Sequence, residues 1–127
     1  ICKALIEWDD EAVASGGRRV LDADFIAHHT HGFEPYAAWL REQEWDAIEA
    51  ASGLAAADLR QAASTYAAAH HVIALYGMGV TQHVLGTQSV QMIVNLLLLR
   101  GNIGRPGTGI CPIRGHSNVQ GQRTVGI

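Results

Sequence analysis

A chain of 127 residues that is 48% apolar and 17% charged has the makings of one modest core and is too apolar to stay unfolded. No apolar run approaches the ~20 residues a helix needs to cross a bilayer, and the longest, residues 93–99, is interrupted by Asn95. A formal net charge of −3, with no lysine and few aromatics in the C-terminal half, excludes a nucleic-acid footprint.

In chain order, residues 1–20 read as the end of an incoming helix and a loop closed by Ser15, Gly16 and Gly17. Asp22 is placed to cap a short helix through Ala23, Phe25, Ile26 and His29, which Gly32 breaks. Pro35 suits the first turn of the next helix, with Tyr36, Trp39 and Leu40 on one face. A third helix around Trp45 and Ile48 stops at Gly53. A fourth, near 55–69, carries Leu59, Ala62, Ala63, Tyr66 and Ala67 on one stripe. Residues 71–76 then read as a short buried strand. After the run YGMGVTQH at 76–83, a helix starts at Gly86 or Thr87 and ends at Arg100 and Gly101. Leucines on nearly every side predict that it is buried all round. From 101 to 122 no period survives, so a long loop is expected. The fold class is therefore mainly α with one or few short strands: a helical part over 1–70, then a strand–loop–helix unit and long loop over 71–127.

Charge is divided along the chain. Residues 1–58 hold all 12 acids and four bases, whereas residues 59–127 hold no acid and five arginines: Arg60, Arg100, Arg105, Arg114 and Arg123. A glycine-rich half with arginines and no carboxylates is suited to an anion such as phosphate. Strand, tight glycine turn and helix is also the order that presents backbone N–H groups to an anion. Gly77 and Gly79 remove the Cβ atoms that would hold a ligand away, and Thr81 and Gln82 offer polar edges. GMG is by itself a weak signal: a dinucleotide fingerprint would need glycine at 82, and no Walker lysine occurs. Cys2 and Cys111, 109 positions apart, form no CxxC pair and fit free thiols in a reducing, cytoplasmic compartment, with a single bridge between them as the alternative. His28, His29 and His31 lack the acid or thiol that would make them a metal site.

Taken together, GMGVTQH, LLLLRGNIGRPGTG and RGHSNVQG resemble the bis-molybdopterin guanine dinucleotide oxidoreductases, specifically the catalytic (alpha) subunits of formate-dehydrogenase-like enzymes. DADFIAHHTHGFEPY at 22–36 and SGLAAADLRQAASTYAAA at 52–69 are similar to segments preceding that loop in the same family. The resemblance covers nearly the whole chain and implies a central fragment of a larger α/β domain with a Rossmann-like layer. It implies a parent enzyme holding Mo or W through two pterin dinucleotides and passing electrons to an iron–sulfur cluster. The loop Gly77, Met78, Gly79, Val80, Thr81, Gln82 then lies against one cofactor. The loop from Arg114 through His116, Asn118 and Gln120 to Gly121 approaches it too, with Arg114 as a charge partner.

In that family the metal-ligating residue, its adjacent histidine and the cluster cysteines lie N-terminal to the matched region, and none of those motifs occurs here. No catalytic or metal-ligating residue is therefore expected in this chain, nor a cofactor bound to it alone. Cys111, His83 and His116 read as bystanders in the loops. The implied partners are the remainder of the parent chain, a small substrate such as formate, and an electron-transfer protein, with neither nucleic acid nor a membrane span. Lacking an initiator Met and a targeting tail, the chain reads as a piece of something longer. Two rivals remain at this level: a non-enzymatic nucleotide- or anion-binding module, and a helical interaction scaffold.

Overall fold

The computed structural model describes residues 1–113, 115, 121 and 124–126. Among the described residues six α-helices and two strands are formed: α1 (Cys2–Ser15), α2 (Ala23–His29), α3 (Phe33–Glu42), α4 (Trp45–Ser52), α5 (Ala56–Ala68), β1 (Ile73–Tyr76), α6 (Gly86–Leu99) and β2 (Gly109–Pro112). A 3-10 turn, Met78–Val80, separates β1 from α6. The mainly α class expected from the sequence is the observed one.

Local chemistry explains the helix boundaries. The Asp22 carboxylate accepts the Phe25 N–H at 3.0 Å and starts α2. Gly53 ends α4 in the left-handed region, φ 71°, where a Cβ would be strained. Residues 1–20 depart from expectation, because a 14-residue helix fills most of them. Cys2, Leu5 and Ile6 recur at i, i+3 and i+4 and bury its face; the adjoining acids Asp9, Asp10 and Glu11 conceal that stripe in the sequence. On α3 the buried face runs through Phe33, Tyr36, Ala37 and Leu40, leaving Trp39 at its margin, 48% exposed. On α5, Ala63 is buried and Leu59, Tyr66 and Ala67 are half-buried, but Ala62 faces solvent.

The core unites Cys2, Leu5, Ile6, Leu21, Ile26, Ala37, Leu40 and Leu99. Each fully buried leucine or isoleucine there contributes about 1.5–3 kcal/mol of transfer free energy. Because Leu99 belongs to it, the C-terminal turn of α6 is anchored in the helical part. Its N-terminal half is only partly covered: Met92 packs against the core, but Thr87, Gln88 and Gln91 are exposed, and only Gly86, Leu97 and Leu99 are buried. The expectation of a helix buried all round therefore fails, since one face of the first two turns, through Thr87, Gln88 and Gln91, is open to solvent.

The second correction concerns the region after Gly101. Residues 109–112 form β2, which pairs in parallel with β1 in the register Ile73↔Gly109, Ala74↔Ile110, Leu75↔Cys111, Tyr76↔Pro112. Strand, α6 and strand thus make one βαβ unit. A four-residue strand hemmed by glycine and proline carries too little pattern to be read from sequence. Nor is β1 buried: Ile73 is 51% and Leu75 63% exposed, with Ala74 and Tyr76 half-buried. Parallel strands are usually covered on both faces, and among the described residues the Ile73–Leu75 face is open. Among the described residues no helix is long and apolar enough to cross a membrane.

Candidate functional site

Parallel pairing sends both strands in the same direction, so the segments that follow them emerge at one edge. Tyr76 leads into Gly77, and Pro112 into Ile113, whose N–H donates to the Tyr76 carbonyl at 2.8 Å. Between these exits lies a cleft of ≈ 110 Å³ lined by Tyr76, Gly77, Met78, Thr81, Pro112 and Ile113. In parallel α/β units, ligands collect beyond the C-terminal ends of the strands. This cleft occupies that place.

The loop is folded tightly on itself. Thr81 donates both its N–H and its hydroxyl to the Met78 carbonyl, each at 2.9 Å, and the Gln82 N–H reaches the same carbonyl at 3.0 Å. His83 Nδ1 accepts the Leu85 N–H at 3.1 Å, a local turn contact of an exposed side chain. Gly86 has a packing reason: a Cβ there would lie 2.5 Å from the Thr81 carbonyl oxygen. Gly77 and Gly79 have none. Among the described residues a Cβ on either meets no atom within 4 Å, and neither residue has a positive φ. Among the described residues nothing stands in the way of side chains at 77 and 79. Opposite them, a methyl group at Gly115 would lie 3.6 Å from Met78 Sδ, so the start of the second motif comes up against the first.

Arg60, Arg100 and Arg105 do not converge on this cleft. Arg60 pairs with Glu7 at 2.9 Å and lies over the Trp45 ring, 4.3 Å from its centroid. Burial works against the charged form of Glu7, but hydrogen bonds from Lys3 and Trp45 and the nearby cations outweigh it and hold its carboxyl below the ordinary range. Arg100 donates to the carbonyls of Val20, Ala67 (2.7 Å) and Ala69 (3.4 Å). Arg105 donates to the carbonyls of His70 (3.0 Å) and Arg100 (3.4 Å) and to Asn102 Oδ1 (3.0 Å). The charge division read from the sequence thus serves internal contacts at these three arginines. Arg114 and Arg123 lie outside the described residues.

No protein-family model matches the chain. Curated proteins do. Protein YdeP of Escherichia coli is 55% identical over 125 residues, 98% of this chain and 16% of that protein. An uncharacterized oxidoreductase of Mycobacterium tuberculosis is 41% identical over 125 residues, again 98% and 16%. Formate dehydrogenase H of Escherichia coli is 40% identical over 105 residues, 83% of this chain and 15% of that enzyme. The chain is a formate-dehydrogenase-like segment. It spans about one sixth of the length of these relatives.

Within this formate-dehydrogenase-like segment, Gly77, Met78 and Thr81 line the strand-end cleft. Gly79 and Gln82 are exposed beside them on the same loop. Gly121, half-buried, accepts the Val125 N–H at 3.1 Å. Arg114, His116, Asn118 and Gln120 lie outside the described residues. Cys111 is exposed and free on β2 rather than in a loop, and Cys2 is free and buried, its thiol pushed up by burial. Among the described residues no group of three or more His, Cys, Asp or Glu could hold a metal ion.

Several residues that shape the site were not singled out in the sequence. Pro112 and Ile113 belong to it because β2 exists, and Gly86 because α6 starts under the Thr81 carbonyl. The one available signal was the ICPI run at 110–113, apolar and bounded by Gly109 and Arg114.

Proposed function

We propose that this chain forms part of the cofactor wall of a formate-dehydrogenase-like oxidoreductase, its βαβ unit lining a bis-molybdopterin guanine dinucleotide. What carries the reading is the pair Gly77 and Gly79: glycines that neither backbone conformation nor packing among the described residues requires, beside a cleft at the ends of two parallel strands. A missing side chain that the fold does not need is explained by something flat and large approaching the backbone. The names of the relatives, oxidoreductase and formate dehydrogenase, support the same class of parent protein.

The donor set fits such a group. Gln82 offers an exposed amide, donor and acceptor together, for a pterin or guanine edge. The Thr81 hydroxyl gives its proton to the Met78 carbonyl and so presents lone pairs outward. The amides at the start of α6, with no acidic residue in its first turn, bring the positive end of a helix dipole near the loop. Arg114, Asn118, Gln120 and Gly121 complete a second wall in this proposal, with Arg114 as phosphate partner. When bound, such a cofactor supplies two-electron redox chemistry at its Mo or W. The residues of this chain bind and orient it and shield it from water. The metal ligand, iron–sulfur cluster, formate or related substrate, electron-transfer partner and cytoplasmic setting belong to the parent protein in the same proposal.

The test is the full-length parent protein, assayed for Mo and W by mass spectrometry, for pterin by oxidation fluorescence, and for formate oxidation with an artificial acceptor. Stoichiometric metal and pterin are expected; a purified, folded parent with neither refutes the proposal.

A further inference from the structure

We infer that Arg100 and Arg105 are positioning residues for the proposed cofactor wall: they hold the segments that lead into β1 and β2 and so bring the two cofactor-facing segments out at one cleft. This rests on the reading of that cleft given above. A lone pair of four-residue parallel strands specifies its own register weakly, and a slip of one residue turns every side chain to the opposite face. Among the described residues β1 and β2 form a two-stranded sheet. Something outside the ladder must therefore fix the alignment.

The arginines meet that need. The Arg105 guanidinium joins the His70 carbonyl, three residues before β1, to the side chain of Asn102. The Arg105 carbonyl accepts both the N–H and the hydroxyl of Thr108, the residue immediately before β2. The Gly109 N–H then donates to the Val72 carbonyl at 3.1 Å, which is the first link between the strands. Arg100 holds the end of α5 through the Ala67 and Ala69 carbonyls and ties it to the Val20 carbonyl of the helical part. Asn102, 1% exposed, fixes the arrangement from below by donating to the Tyr66 hydroxyl, which itself donates to the Leu96 carbonyl. A planar fork serves several carbonyls at once, whereas a lysine is a single point donor.

The experiment is hydrogen–deuterium exchange with mass spectrometry on the full-length parent protein, together with Mo, W and pterin content per chain. Arg100→Gln and Arg105→Gln are compared with wild type and with Arg60→Gln, which loosens α1, α4 and α5 through Glu7 and Trp45 instead. Arg100→Lys and Arg105→Lys keep the charge should the glutamine variants fail to fold. Exchange in peptides covering 72–86 and 109–113 is expected to rise about tenfold or more in the Arg100 and Arg105 variants and not in Arg60→Gln, with metal and pterin content falling in parallel. Rises there no larger than in Arg60→Gln would overturn the inference, reducing the clamp to general stability. A selective rise with unchanged cofactor content overturns it too, since the cofactor then does not depend on this alignment. A folded wild-type parent lacking metal and pterin instead refutes the proposed function, and the exchange data alone then decide whether the arginines set the register.

Discussion

Gly86→Ala isolates the contact that joins the glycine loop to α6. An added Cβ would sit 2.5 Å from the Thr81 carbonyl oxygen, 2.8 Å from its carbon and 2.9 Å from Thr81 Cα. All three are backbone atoms, so no side-chain rotation relieves the clash. Restoring a separation near the ~3.5 Å optimum of non-bonded contacts requires helix and loop to part by about 1 Å. Overpacking of this kind costs about 1–3 kcal/mol. Removing a flexible glycine from the unfolded chain returns about 0.4–1 kcal/mol, leaving a net loss of about 1–2 kcal/mol. The assay is urea unfolding of the chain, followed by amide exchange across 77–86. Expected are a lower midpoint with unchanged slope and faster exchange confined to the loop and the first turn of α6. An alanine variant as stable as wild type, with unaltered loop exchange, would refute the reasoning.

Other expectations follow from the same geometry. Asp9→Ala removes the acceptor of the Val20 and Leu21 N–H groups, at 2.8 and 2.9 Å, from a side chain only 2% exposed, and should cost about 2–5 kcal/mol in urea unfolding. Burial opposes the Asp9 charge, but the Arg19 hydrogen bond, the Leu21 and Val20 amides and the Arg19 charge together hold its carboxyl below the ordinary range. Its stabilising contribution is therefore complete above the unfolded value of about 3.9 and disappears as pH falls through the folded value; stability followed by urea midpoints from pH 6 to 2 checks this, and Asp9→Ala should flatten that decline. Gln82→Ala should shift the stability of this chain by no more than about 0.5 kcal/mol, because its side chain is exposed, yet lower the molybdenum or tungsten content of the full-length parent.

The parts of this fold that were legible in the sequence are those decided by near neighbours. Asp22 as a cap, Gly53 as a stop, and the end of α6 at Arg100 and Gly101 each depend on residues within a few positions. What escaped depends on distant partners. β2 is a strand only because β1 lies beside it, and the exposure of Ile73 and Leu75 follows from a sheet that the described residues leave open on one face. The arginines are the clearest case. Their number and the absence of nearby acids suggested an anion, but backbone carbonyls are neutral acceptors invisible to a count of charges, and Arg100 and Arg105 found five of them. The glycine loop was located correctly as a feature. That a cleft lies beside it, closed by Pro112 and Ile113, needed the parallel pairing.

The central claim, that Gly77 and Gly79 are bare because a cofactor approaches them, is tested most directly by Gly79→Ala in the full-length parent. Metal and pterin per chain are measured alongside the thermal unfolding of the same preparation. Since a Cβ at 79 meets nothing within 4 Å among the described residues and no positive φ opposes it, the account predicts unchanged melting of this segment with a clear loss of metal and pterin. Cofactor content equal to wild type, in a variant that folds as well, would contradict it.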